Sequence, residues 1–253
     1  MYIRRGDAEF FTVSFGAGPR TVLALGGWAG SWELWAGPFE ILSRTWRTVA
    51  YDHRGAGATV APVESISLET MAADVFTIMD ALEIDRCVLA GESAGAAVVL
   101  HAAIMQPERF TGLVLVDALY HRPAPQAPDP FVLGLQANFE ATVAWFVDAC
   151  VPEPDSAVVR RWGRQILARS GQEAAIRLYQ SMDGIDMRPV VGDIALPALI
   201  IHGEQDALVP LEAACSLAEA IPNSRLVVLP DTGHVPTVTR PAEVAAAIDE
   251  YFA

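Results

Sequence analysis

A serine set between glycines, Gly91-Glu92-Ser93-Ala94-Gly95, and a distant histidine, in Asp231-Thr232-Gly233-His234-Val235-Pro236, are the residues of this chain best placed to do chemistry. A serine hydroxyl is a weak nucleophile and needs a neighbouring base. Imidazole is the side chain that takes and returns a proton near neutral pH. Ser93 and His234 together suggest attack on a carbonyl. Such a pair needs a carboxylate to hold the imidazole in the right tautomer and to stabilise the imidazolium. Asp206, in His202-Gly203-Glu204-Gln205-Asp206, is the first candidate, and Asp117, at the end of an apolar run, competes with it. The other histidines fit the base role less well. His53 lies in a turn between Asp52 and Arg54. His101 falls mid-helix on an apolar face and reads as a core residue, His121 lies among prolines, and His202 ends an apolar run and reads as structural.

The elements around these residues decide how much weight they carry. G-x-S-x-G occurs often by chance, but here it follows an apolar run, Arg86–Ala90, and opens a helical stretch, Ala94–Met105. A nucleophile elbow needs that strand–turn–helix setting. The helix start leaves the Ala94 N–H free to meet an anion. A second oxyanion donor is expected after the run Thr21–Gly26, in Gly26-Gly27-Trp28-Ala29-Gly30-Ser31, and the Trp28 N–H is the candidate.

Further apolar runs cover Phe10–Phe15, Arg47–Asp52, Gly112–Asp117, Ala198–His202 and Arg225–Leu229. Several are apolar at nearly every position, as strands covered on both faces are. Helical periodicity covers Leu68–Leu82, Leu211–Ile221 and Glu243–Phe252. Alternation of this kind predicts an α/β protein with a mostly parallel sheet. Between about 120 and 189 the alternation stops. His121–Pro130 holds four prolines and reads as a linker, and Phe139–Cys150, Ser156–Ser170 and Gln172–Met182 read as three helices with no strand between them. The expected organisation is a core of residues 1–119 and 190–253 with a helical insertion at 120–189. None of the favoured chemical residues lies in the insertion, so its removal is expected to alter specificity more than intrinsic chemistry.

Composition narrows the class. Of 253 residues, 52% are apolar and 19% charged, which suits a large core. The net charge of −14 argues against a nucleic-acid partner. No apolar run is long enough for a membrane span. No signal-peptide pattern follows the N-terminal arginines, and a cytoplasmic location is the default expectation. Cys87, Cys150 and Cys215 are too scattered for a metal site or a disulfide framework, and Cys87 and Cys215 read as small core residues.

From Thr21 to Val235 the chain resembles the α/β-hydrolase superfamily. The elbow, the Asp206 and His234 loops in that order, and Tyr51-Asp52-His53-Arg54-Gly55-Ala56-Gly57, similar to the family's D-x-R-G-x-G turn, carry the resemblance. One departure is Gly26, where the family usually has histidine in its oxyanion loop. The resemblance implies an α/β-hydrolase fold, a helical cap at 120–189 that shapes the pocket, and an acyl-enzyme on Ser93. It implies no metal and no cofactor. The expected substrate is a small, fairly apolar carboxylic ester, lactone or thioester, acted on by a monomer or homodimer. Three other readings stand beside it: carbon–carbon bond hydrolysis, less favoured because Val235 and Pro236 rather than tryptophan follow the histidine; cofactor-free peroxidation; and a small-molecule receptor that keeps the pocket without fast turnover.

Overall fold

The computed structural model describes all 253 residues. Its elements in chain order are β1 (Tyr2–Arg5), β2 (Ala8–Phe15), β3 (Arg20–Leu25), α1 (Ala36–Leu42), β4 (Trp46–Tyr51), α2 (Leu68–Ala81), β5 (Cys87–Glu92), α3 (Ala94–Met105) and β6 (Phe110–Val116). Four helices follow, α4 (Pro130–Ala137), α5 (Phe139–Cys150), α6 (Ala157–Leu167) and α7 (Gln172–Gln180). The chain then returns through β7 (Ala198–Gly203), α8 (Leu211–Ala220), β8 (Ser224–Leu229), α9 (Pro236–Thr239) and α10 (Pro241–Tyr251).

The strands form one eight-stranded sheet in the order β1-β2-β4-β3-β5-β6-β7-β8. β1 pairs antiparallel with β2, and β2 antiparallel with β4; every other pairing is parallel. The register aligns the strand ends. Leu25 lies opposite Gly91, Gly91 opposite Leu115, Leu115 opposite Ile200 and Ile200 opposite Leu226. The loops that follow β3, β5, β6, β7 and β8 therefore emerge along one edge, where open α/β sheets place their sites.

The central strands are apolar because both faces are covered. β5 is buried at every position, and α3, whose residues are almost all small and apolar, packs directly on it. α2 shows the alternative pattern: an apolar face, with Ser67 accepting the Thr70 N–H at 3.1 Å as its N-cap.

Several expectations need correcting. β1 and α1 were not anticipated, the first because a four-residue edge strand with two arginines shows little apolar alternation. The stretch His121–Pro130 is not linker throughout. Pro130 opens α4, and the Asp129 carboxylate accepts the Phe131 N–H at 2.8 Å. An aspartate N-cap followed by proline at the first helical position was the signal for it. Cys215 is exposed on α8 rather than in the core, and His101 is only half-buried. No helix is long and apolar enough to cross a membrane.

Candidate active site

β5 ends at Glu92, and Ser93 takes φ 54° and ψ −121° before α3 begins. This left-handed backbone is costly for a residue with a Cβ, so the surroundings must over-determine it. They do: the Ser93 N–H donates to Val116 O at 2.8 Å, and Ser93 O accepts the Leu119 N–H at 3.1 Å. The flanking glycines are needed for space. A Cβ on Gly91 would lie 2.5 Å from Gly95 O, and one on Gly95 2.5 Å from Gly26 O.

The turn brings Ser93 to His234. Ser93 Oγ lies 2.8 Å from His234 Nε2, and His234 Nδ1 lies 2.7 Å from Asp206 Oδ2. His234 is 2% exposed. The other Asp206 oxygen accepts the Leu208 and Val209 N–H groups at 2.8 and 3.0 Å, so that its bond to the imidazole comes from a fixed carboxylate.

Asp117 is brought to the same place but not to the same contact. It is fully buried, with φ 43°. Its Oδ1 accepts the Gly203 N–H at 2.9 Å and lies 3.2 Å from His202 Nδ1, while Oδ2 has no partner. Burial drives the Asp117 carboxyl well above its ordinary range, helped by the charges of Asp206 and Glu92 and opposed by His234. For Asp206, burial also pushes upward, but the His234 bond and charge and the two amides outweigh it and hold the carboxyl low. The two carboxyls are thus pushed in opposite directions, and the one held low is the one bonded to the imidazole. The ligand atoms of Asp117, Asp206 and His234 fall within 4.8 Å of one another. Both imidazole nitrogens already face hydrogen-bonding partners, an arrangement suited to proton relay.

Burial would lower the His234 pKa, yet the Asp206 hydrogen bond and charge, with a further Asp117 contribution, raise it above the ordinary 6.5. Of the two carboxyls, Asp206 has the larger upward influence. Only neutral imidazole can accept a proton, so a raised pKa moves the rising limb of activity to higher pH. A kcat/KM profile from pH 5 to 9 should show one ionisation with its midpoint above about 6.5. A flat profile with chemistry limiting would exclude a histidine base.

Glu92 is a buried carboxyl pushed up to about 8 by burial, against the Thr237 hydroxyl that donates to it at 3.0 Å. Burial thus disfavours a full negative charge at Glu92, the residue before Ser93.

Trp28 and Ala94 both reach the site. Neither amide meets an acceptor within the protein, and both residues line cavities that include Ser93 and His234. The Trp28 indole is anchored in the helical insertion: Nε1 donates to Ala175 O at 2.7 Å, and the ring stacks edge-on against Phe131 and Phe146.

Two cavities meet at Ser93 and His234, with Trp28 and Phe146 in the wall of both. One is narrow, about 50 Å³, and walled by Leu34, Val147, Trp162 and Leu167. The other is about 380 Å³ and walled by Phe131, Trp145, Tyr179 and Arg122. Arg122 does not offer that cavity a free positive charge. It lies 3.1 Å from Asp129 and 3.0 Å from Asp183, with Tyr179 stacked on its guanidinium.

The insertion also touches the histidine loop, which the sequence did not suggest. The His234 N–H donates to Cys150 O at 2.8 Å. The Gly233 N–H donates to the buried Glu153 carboxylate at 2.9 Å. No favoured chemical side chain lies in the insertion, but it supplies two backbone anchors of the histidine loop. Nothing in the local pattern of Pro152–Ser156 marks Glu153 for this contact.

Residues 22–247 match the profile described as "Alpha/beta hydrolase family". A protein of Pseudomonas savastanoi pv. phaseolicola, named "Putative carbamate hydrolase RutD", is 30% identical over 94% of this chain and 91% of its own. The enol-lactonase of Burkholderia xenovorans LB400 superimposes with a TM-score of 0.92 at 22% identity, over 100% of this chain and 99% of that one. A bromoperoxidase of Bacillus anthracis does so with a TM-score of 0.90 at 24% identity, over 97% and 95%. The chain belongs to the alpha/beta hydrolase family.

Proposed function

We propose that the protein is a serine hydrolase that cleaves a small, neutral carbonyl substrate through an acyl-enzyme on Ser93. The observation that carries this reading is the continuous chain of contacts from Ser93 Oγ through His234 to Asp206, at 2.8 and 2.7 Å. His234 takes the Ser93 proton as Oγ attacks the carbonyl carbon. The Trp28 and Ala94 amides receive the oxyanion. His234 then gives its proton to the leaving group and activates the water that releases the acid.

Esters, lactones and thioesters fit this chemistry, and so does a carbamate, the class named for the RutD relative. The paired state of Arg122 favours uncharged substrate arms over the keto acids of carbon–carbon bond hydrolysis. Two cavities of unequal size support an asymmetric substrate, with one short arm and one that tolerates bulk.

This asymmetry is testable with p-nitrophenyl esters of increasing acyl length, aryl and alkyl esters of one acid, and a phenyl carbamate. Lengthening one arm should be tolerated while lengthening the other lowers kcat/KM about tenfold or more per added methylene once the narrow cavity is full. Trp162→Ala should relax that restriction. Equal tolerance on both arms, in the wild type and the variant alike, would refute the two-cavity assignment. Binding without turnover across the panel would favour a receptor.

A further inference from the structure

The loop after β4 carries His53, which the reaction outlined above does not use. It is 4% exposed. Its Nδ1 lies 3.0 Å from Arg54 O and its Nε2 lies 2.9 Å from Gly27 O, at the base of the Gly26–Ser31 loop. The loop is bent at this point: Gly27 O also accepts the Gly30 N–H at 3.1 Å, and Ala29 has φ 53°. A non-glycine residue in that region is strained, so neighbouring groups must hold the loop in this conformation.

The Gly27–Trp28 peptide is trans, like all others in the chain. In a trans peptide the C=O and the following N–H point in opposite directions. A group that fixes the Gly27 carbonyl therefore fixes the Trp28 N–H on the other side of the same plane. That N–H has no acceptor in the protein. The loop lies hard against the nucleophile: a Cβ built on Gly27 would be 2.9 Å from Ser93 Cβ and 3.6 Å from Ser93 Oγ. Gly27 and Trp28 also line the narrow cavity with Ser93 and His234. A peptide flip here would remove one oxyanion donor and turn a carbonyl oxygen toward the developing negative charge.

We infer that His53 is a positioning residue for the oxyanion site: its Nε2–H holds the Gly27 carbonyl and thereby aims the Trp28 N–H at the reacting carbonyl oxygen. Its chain neighbours are themselves held in place on either side of it. Asp52 accepts the Trp32 and Ala58 N–H groups, both at 2.7 Å, and Arg54 is clamped to Asp74 at 2.7 and 3.0 Å. The D-x-R-G-x-G turn thus supports a side chain that reaches from β4 across to the loop after β3.

This inference rests on Ser93 being the nucleophile, and the test keeps the two apart. His53→Leu, His53→Asn and His53→Gln are compared in the full-length protein with a p-nitrophenyl ester, with melting temperature measured for each. Leucine has no donor, asparagine is too short to reach the Gly27 carbonyl, and glutamine can donate to it. Losing one oxyanion donor costs about 10²–10³ in kcat. His53→Leu and His53→Asn should lose kcat on that scale with KM nearly unchanged, and should weaken a trifluoromethyl ketone inhibitor in proportion. His53→Gln should recover most of both. If the leucine variant does not fold, the Gln/Asn pair decides. Unchanged kcat in a folded asparagine variant overturns the inference. So does a loss that follows melting temperature, or one shared equally by glutamine and asparagine. Full activity in Ser93→Ala would instead overturn the nucleophile, whatever the His53 series shows.

Discussion

Ser93→Ala should lose on the order of 10⁴–10⁶ in turnover while keeping its fold and its affinity for a non-reacting substrate analogue. The residue touches little that the core depends on: its side chain meets His234, and its backbone bonds to Val116 and Leu119 are independent of the hydroxyl. Alanine keeps those bonds and removes only the attacking atom. What remains should be the rate from amide donors and substrate orientation, roughly 10³–10⁴ over the reaction in water. Removing His234 as well should cost little more, since the two act as one unit. The checks are kcat on an activated ester and intact-mass detection of a fluorophosphonate adduct. A variant that turned over at the wild-type rate and still took up the phosphonate would move the nucleophile elsewhere.

Asp206→Asn should lose roughly 10²–10⁴ in turnover at neutral pH, against about tenfold or less for Asp117→Asn. At Asp206 the carboxylate accepts from His234 Nδ1 at 2.7 Å. An amide there can present N–H instead, select the wrong tautomer, and leave Nε2 protonated where it must accept. It also removes the charge that raises the His234 pKa, so the remaining activity should rise at lower pH. At Asp117 burial disfavours the charged form and drives the carboxyl well above its ordinary range. Asparagine is close in shape to a neutral carboxyl, can still accept the Gly203 N–H, and tolerates the φ of 43° found there. The sign for stability follows. A carboxyl whose pKa is raised on folding must take up a proton to fold above its unfolded pKa, which costs stability at neutral pH. Asp117→Asn should therefore melt no lower than wild type at pH 7, contrary to what simple loss of a buried hydrogen bond predicts. Both variants are to be assayed on one ester and melted at pH 5 and 7. The reverse ranking in turnover would make Asp117 the acid, and equal large losses would divide the role between them.

The placing of the candidate site residues was legible in the sequence where it depends on local pattern. Ser93 declared itself through the strand before it and the helix after it, and α3 runs over the residues its composition predicts, Ala94–Met105. His234 and Asp206 could be placed because each directly follows an apolar run, and parallel strands that share a register deliver such loops to one edge. The choice between Asp206 and Asp117 was different in kind. Both follow strands, and only the packed loops decide which carboxylate meets Nδ1. The same holds for His53, whose target lies 26 residues away, and for Glu153, which reaches a loop 80 residues on. Contacts of that range leave no periodicity in the chain. α4 was missed for another reason: prolines from His121 to Pro130 obscured the Asp129-Pro130 start that marks it.

The anchoring of residues 233 and 234 by Cys150 O and Glu153 has a consequence for how this protein matures. The backbone at 233 and 234 gains two hydrogen bonds from a segment synthesised at least 80 residues earlier, and neither bond can form until residues 233 and 234 have themselves emerged. The contact between Ser93 and His234 thus depends on the insertion and the loop after β8 having both packed. A half-folded or clipped chain lacks one side of that clasp.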